Sequence, residues 1–98
     1  MSYSVQLDDD VKAKITAWRL PEEGISAILR RMDELREEPS RNLLRVESSP
    51  HPLQTDIVYR DSGPPARDCL IVLFVRYGVD EETLRIVDCD RYFDDKLA

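Results

Sequence analysis

Hydrophobic and polar residues alternate at the start of the chain and then change to helical spacing. The alternation over residues 3–7 predicts a strand with one buried face. Val11, Ile15 and Trp18 recur at i, i+4 and i+7, which is the spacing of one helical stripe. The carboxylates of Asp8–Asp10 stand where a helix takes its N-cap and first-turn acids. The pattern predicts a strand followed directly by an amphipathic helix.

A second helical pattern begins after a proline. Leu20-Pro21 interrupts the first helix, because a residue before proline avoids the helical region, and Pro21 suits the first turn of a new helix. The charged residues that follow, Arg31 among them, predict ion pairs on a solvated helix face. Apolar residues keep helical spacing until Glu37-Glu38-Pro39 ends the run; they are Ile25, Ile28, Leu29, Met32 and Leu35. Two helices with so short a join predict a helical hairpin.

The second half of the chain has the patterns of strands. Ile57-Val58-Tyr59 makes one strand, and the apolar run over 70–75 is typical of a central strand covered on both faces. Gly78 and the acids after it predict a hairpin turn, from which residues 83–89 return as a strand. The predicted order is β-α-α-β-β-β, with an optional extra short strand near residue 44. We expect an α+β fold in which the helical hairpin packs on a mainly antiparallel sheet.

Length and charge narrow the class of protein. The 98 residues predict a single domain over 1–98, and 42% hydrophobic residues suffice for a modest core. The run over 70–75 is far shorter than the ~20 residues of a membrane span, and no signal peptide is visible, so we expect a cytoplasmic protein without a membrane partner. Fourteen basic and 20 acidic residues give a net charge of 14 − 20 = −6, a poor match for nucleic acid.

Candidate chemistry outside the helices is sparse. Cys69 and Cys89 are expected to be free, packed thiols, although a hairpin centred near residue 79 or 80 would let them pair as a disulfide or metal ligands. His51 lies in a proline-rich loop and is expected to be solvated, with a general acid or base as the alternative. We expect no metal and no cofactor. The alternative cation site would be the acidic C-terminal edge, which consists of Asp88, Asp90, Asp94 and Asp95.

Several short motifs stand in a definite order along most of the chain. They are Tyr3-Ser4-Val5-Gln6-Leu7-Asp8 before an acid-capped helix, Leu20-Pro21 between the helices, Ile28-Leu29-Arg30-Arg31-Met32-Asp33-Glu34-Leu35 followed by Glu38-Pro39, and a hairpin of Leu70 to Tyr77 and Leu84-Arg85-Ile86-Val87 leading to Asp90-Arg91. This set, in this order, resembles the RelE/ParE superfamily of toxins from bacterial toxin–antitoxin pairs.

The resemblance implies a target and a partner. Ribonuclease members of that superfamily cleave messenger RNA in the ribosomal A site with basic side chains, and often a tyrosine or histidine, on the concave face of the sheet. Such cleavage needs a deprotonated 2′-hydroxyl, a stabilised phosphorane and a protonated leaving oxygen. Other members poison DNA gyrase instead. The resemblance therefore implies a small antitoxin partner, with either the ribosome and mRNA or gyrase as the target.

Five residues of this chain are candidates by that resemblance. Arg91 matches the arginine at the end of the superfamily's last strand, and Arg60 falls at a strand end where a basic residue is common. Tyr92 follows Arg91 directly, and the three make up the implied catalytic set. Arg45 and Arg76, on adjoining strands, are the implied substrate-binding residues.

The acidic residues around these candidates change the expected function. Asp90 stands where a histidine is common in the superfamily, and other aspartates in the last strand would repel a phosphate. We therefore expect a toxin-family protein with a degenerate catalytic set, for which mRNA endoribonuclease activity is an open question. The alternative is a non-catalytic protein-interaction module on the same fold, with a second copy of the chain as a candidate partner.

Overall fold

Two helices pack on one face of a five-stranded sheet in the computed structural model, which describes residues 3–80 and 82–94. The elements in chain order are β1 (Ser4–Leu7), α1 (Asp9–Trp18), α2 (Glu22–Glu37), α3 (Pro39–Asn42), β2 (Leu44–Arg45), β3 (Leu53–Asp61), β4 (Arg67–Tyr77) and β5 (Thr83–Asp94). The predicted α+β class and the helical hairpin are confirmed. The optional extra strand is present as β2, and the short helix α3 was not predicted.

The sheet is mixed, with the strand order β1-β5-β4-β3-β2. The pairs β2–β3, β3–β4 and β4–β5 are antiparallel, as the short loops between these strands require. β1 instead pairs parallel with β5, from Ser4 opposite Thr83 to Leu7 opposite Ile86. This arrangement places the first and last strands side by side, and it leaves β4 in the middle of the sheet.

The core lies between the sheet and the helices. Alternate residues of the strands point toward the helices, so that Ile71 and Leu73 of β4 and Ile86 of β5 are fully buried. Val11 of α1 and Leu35 of α2 meet them from the other side, in one apolar cluster. Ile15 and Trp18 are half-buried at the margin of that cluster. The helical stripes read from the sequence are therefore the faces that the fold buries.

The central strand differs from its prediction on one face. β4 is apolar on both faces, as expected of a central strand, but the helices cover only the face that carries Ile71 and Leu73. On the other face Leu70 and Phe74 stay partly exposed, and Val72 is buried between neighbouring side chains of the sheet. The prediction of cover on both faces was wrong.

Neither cysteine lies opposite the other. Cys69 pairs across the sheet with Phe93 and Cys89 pairs with Leu73, which separates the two by four positions along the strands, about 13 Å. The turn lies later in the chain than residue 79, and a bulge near Phe74 shifts the register further. Both thiols are buried and free, as expected, and the disulfide alternative is wrong. Burial raises the pKa of Cys89 to about 11.

Helix α1 begins without the side-chain cap that the sequence predicted. Asp8 occupies the N-cap position, but its side chain makes no cap hydrogen bond. The carboxylate instead accepts two hydrogen bonds from the Arg85 Nη2 on β5, at 2.9 and 3.0 Å. The contact ties the start of the helix to the sheet.

Within residues 3–80 and 82–94, no helix is both long and apolar enough to cross a membrane.

Candidate functional site

The face of the sheet opposite the helices is the main candidate surface. We call it the open face. It consists of the even-numbered residues of β3 and β4 (54–60 and 68–76) together with Arg85, Asp88, Asp90 and Tyr92 of β5. These positions alternate with the core residues of the same strands, so their side chains point away from the helices.

An apolar row crosses the open face next to the row that carries Asp68. Val58, Leu70 and Tyr92 lie opposite one another on β3, β4 and β5, and we call them the apolar row. Val58 is 69% exposed and Tyr92 is 54% exposed. Cross-strand neighbours on one face lie about 5 Å apart, so the three side chains form a continuous strip. Aromatic and aliphatic side chains grouped in this way are typical of the centre of a protein-binding surface.

Arginines on the open face are held by aspartates. The Arg60 Nη1 donates to the Asp68 Oδ1 at 2.9 Å, next to the apolar row. At the hairpin end, Arg85 is bound to Asp8. Ion pairs exposed to this degree contribute little to stability, but each reduces the positive charge available to a phosphate.

Carboxylates occupy the outer edge of β5. Lys14 of α1 reaches them, with its Nζ 3.5 Å from the Asp88 Oδ1 and 3.4 Å from the Asp90 Oδ1. Partial burial opposes the charge of Lys14, but the two carboxylates outweigh it and raise the pKa of this lysine. Among the described residues, no three His, Cys, Asp or Glu side chains are placed to hold a metal ion. Asp95 and the side chain of Asp94 lie outside that description.

His51 is not solvated as the sequence predicted. It is half-buried, and its ring centroid lies 5.5 Å from that of Phe74 on the open face. The His51 Nδ1 is buried without a hydrogen-bond partner in the described part of the chain. The proline-rich loop therefore folds over one end of the open face, where the Phe74 ring contacts the imidazole of His51.

Two of the five predicted site residues share a region of the open face. Arg60 and Tyr92 lie in neighbouring rows of the open face. Arg60 is on β3, Tyr92 is on β5, and β4 lies between them. Arg76 is also on the open face, but it lies eight residues along β4 from Asp68, the neighbour of Arg60. At about 3.3 Å per residue that distance is about 26 Å. Arg76 therefore cannot act on the same phosphate as Arg60.

The other two predicted residues point toward the helix side. The Arg91 Nη1 donates to the Trp18 carbonyl at 3.1 Å, and its guanidinium lies 4.7 Å from the ring centroid of Phe93. Arg45 pairs with Leu53, whose side chain lies on the helix side of β3. Adjacent residues of a strand face opposite ways, so the sequence already separates Arg91 from Tyr92 once both are assigned to β5.

The sequence predicts Arg31 on the solvated face of α2, but in the structure Arg31 is a structurally important residue that contacts β3. Its Nη1 donates to the Thr55 Oγ1 at 2.6 Å and to the Asp56 carbonyl at 2.8 Å, which fastens α2 to β3. Thr55 is fully buried. The spacing could have predicted this position, because Arg31 comes three residues after Ile28 and four before Leu35, on the buried stripe of the helix.

A second apolar surface is a groove between α1 and α2, with a volume of about 430 Å³. Ile15 and Met32 lie among its lining residues, and the exposed side chains of Ile25 and Leu29 stand along α2 beside them. The groove has the four-residue periodicity of a helix face. It lies on the side of the sheet opposite the open face.

No protein-family model matches this sequence, and comparison with curated proteins and with solved structures found no match. A function for the chain must therefore be inferred from its own residues and their geometry.

Proposed function

We propose that this chain is a RelE/ParE-like protein of a toxin–antitoxin-type module that acts in the cytoplasm by binding a protein target rather than by cutting RNA. Two observations support the family. The motifs from Tyr3 to Arg91 stand in the superfamily's order, and a helical hairpin covers one face of the sheet while the other face remains open.

The apolar row is the observation that carries the binding function. Val58 and Tyr92 are each more than half exposed, at two ends of a strip that crosses three strands. Water-exposed apolar surface of this kind is stabilised by a partner that covers it, and tyrosine is enriched among the residues that dominate binding energies. The Arg60–Asp68 pair beside the row supplies a polar rim.

The positions of the arginines favour binding over cleavage. Cleavage needs cationic and proton-transferring groups within hydrogen-bond distance of one phosphate. Arg91 is directed at the Trp18 carbonyl on the helix side, and Arg60 is bound to Asp68 on the open face. Asp56 and Asp90 lie one row from Tyr92, so a phosphate placed there would meet carboxylates.

The target that follows is a protein surface, and a small antitoxin is the partner that would silence it. Among the targets that the resemblance implies, DNA gyrase fits binding without cleavage. A net charge of −6 also suits a protein surface better than the phosphates of ribosomal or messenger RNA.

Induced expression in bacteria tests the proposal. We expect growth arrest that persists in the Arg91→Ala variant and is lost in Tyr92→Ala, because the second change removes the exposed aromatic side chain of the apolar row. Tyr77→Ala, which changes the same residue type near the hairpin, is the matched control and should retain arrest. Variants must first be shown to accumulate in soluble form.

Mapping of 5′ ends in messenger RNA from the arrested cells separates binding from cleavage. We expect no new ends that depend on the induced protein. New ends that disappear in Arg60→Ala would contradict the binding function and support ribosome-dependent cleavage. Normal growth at high soluble expression would contradict a toxin function altogether.

A further inference from the structure

One long edge of the sheet is left without a partner strand. β2 pairs only with Leu53 and Gln54, so no described strand lies beside β3 from Thr55 to Asp61. This stretch, which we call the β3 edge, is regular in its pairing with β4 and contains no proline. Unpaired edges are templates for pairing with another strand.

The backbone groups on the β3 edge can be assigned from two hydrogen bonds. The Val46 N–H donates to the Pro52 carbonyl, and Arg31 donates to the Asp56 carbonyl, so both carbonyls point away from β4. Because successive residues of a strand point their backbone groups to opposite sides, the groups of Val58 and Arg60 point outward as well. The β3 edge therefore offers N–H and C=O groups at Asp56, Val58 and Arg60.

The side chains at these positions are complementary to themselves. In an antiparallel pair of identical strands centred on Val58, Val58 faces Val58 of the second strand, and Asp56 faces Arg60. The pairing contains two such opposite-charge contacts, one on each side of the centre. A pair centred on Asp56 would place two aspartates opposite each other, and one centred on Arg60 would place two arginines opposite each other. Registers centred on Ile57 or Tyr59 contain no like-charge pair but also no opposite-charge pair. The register centred on Val58 is therefore the one that gains two opposite-charge contacts without placing like charges opposite each other.

We propose that a second copy of this chain binds along the β3 edge, with β3 antiparallel to β3 and the two-fold axis at Val58. Paired residues share a face of the sheet, so the helices of both copies lie on one side. The two apolar rows then join end to end at Val58. The proposal goes beyond the proposed function, since it needs only the backbone and charges of β3.

Existing contacts of these residues are compatible with the pairing. The Asp56 carbonyl accepts from Arg31 through one lone pair and has a second for the Arg60 N–H of the second copy. Arg60 has several N–H donors, so it can reach a second carboxylate while it stays bound to Asp68. A contact of five residues on each strand is small, so we expect a weak dimer whose population rises with protein concentration.

Charge reversal tests the register. Arg60→Glu and Asp56→Lys each convert both opposite-charge contacts of the dimer into like-charge contacts, so sedimentation velocity should show the dissociation constant rising about tenfold or more. Arg30→Glu and Glu47→Lys change the charge equally at exposed positions on α2 and in the loop after β2, and they should dimerise as the parent does. A parent chain that stays monomeric at several hundred micromolar would overturn the proposal.

Mixing the two reversed variants gives the decisive comparison. When one copy carries Asp56→Lys and the other carries Arg60→Glu, both contacts across the two-fold axis are again between opposite charges. We expect a heterodimer to form although each variant alone is monomeric. Circular dichroism of each variant establishes that it is folded, and no association on mixing would overturn the proposal.

Amide hydrogen exchange on the unmodified chain distinguishes this dimer from one formed by another surface. The amides of Val58 and Arg60 should exchange rapidly in dilute solution and become protected as concentration rises, whereas the Tyr59 amide should be protected throughout. A dimer in which the Val58 and Arg60 amides exchange as rapidly as in the monomer would overturn the proposal. The measurement does not depend on growth arrest, so it can fail or succeed independently of the proposed toxin function.

Discussion

The two faces of the same central strand have nearly the same composition and different environments. On the helix side of β4, Ile71 and Leu73 are fully buried. On the open face, Leu70 and Phe74 are equally apolar but remain partly exposed. The difference is due to what covers them, since α1 and α2 pack on one face only.

This contrast separates two uses of apolar residues. Residues on the helix side leave water when the chain folds, so their burial stabilises the native state. Residues in the apolar row of the open face leave water only when a partner binds. A stability measurement should therefore be sensitive to the first set and nearly insensitive to the second, and a binding measurement should show the reverse.

The largest expected effect is on the helix side. Ile71→Ala should lower the free energy of unfolding by about 2–5 kcal/mol, because it leaves a cavity at a fully buried position. Val58→Ala on the open face should change it by less than about 0.5 kcal/mol. Urea unfolding followed by circular dichroism, at a protein concentration low enough to keep the chain monomeric, measures both. Equal losses would refute the contrast between the two faces.

An intermediate effect is expected where α2 is fastened to β3. Arg31→Met keeps an apolar stem but removes both hydrogen bonds, which leaves the buried Thr55 hydroxyl without its donor. We expect a loss of about 1–3 kcal/mol. Arg30→Met, one residue earlier and exposed, serves as the control and should cost less than about 0.5 kcal/mol. A variant at Arg31 as stable as the parent would show that the helix side depends on apolar packing alone.

The smallest effect on stability is expected at the outer edge of β5, where Lys14 contacts two carboxylates. Lys14→Gln should cost less than about 1 kcal/mol at neutral pH, because the contacts with Asp88 and Asp90 are exposed. The pKa of Lys14 is raised in the folded chain, so its contribution is fully present below the ordinary lysine pKa of about 10.4 and is lost as the pH rises through the raised value.

Unfolding of the parent and of Lys14→Gln across pH 8 to 12 (a range of about four units around the ordinary lysine pKa) checks the sign of this effect. The difference between them should shrink as the pH rises. Lys12→Gln, which carries the same charge change on the same helix, should show a smaller difference at neutral pH. A difference that widens in alkali would mean that the carboxylates do not stabilise the lysine.

Local periodicity was enough to predict most of the elements. The stripe of Ile28 and Leu35 in α2 and the apolar run of β4 both follow from the way helices and strands present side chains. Positions that depend on contacts between two distant segments were harder to predict. Arg31 was assigned to solvent because its acceptors, Thr55 and the Asp56 carbonyl, lie 24 and 25 residues away in sequence.

The candidate site shows the same limit. Arg60 could be placed at a strand end from the sequence, whereas Tyr92 lies beyond the strand predicted over 83–89 and within the longer β5 of the structure. That the two residues lie in neighbouring rows depends on the register of three strands. The bulge between β4 and β5 shifts that register by one residue, and a shift of this kind changes which residues lie opposite each other. The same shift and a later turn separate Cys69 from Cys89.

The amino-acid sequence by itself determined the α+β class, the helical hairpin, the central position of β4 and the net charge of −6. Each depends on local periodicity or composition. Only the tertiary structure decided that β1 lies beside β5, that one face of β4 stays uncovered and that Arg91 is directed at α1. The physical reason is that these features arise from packing and pairing between distant segments, and no local pattern encodes which segments will meet.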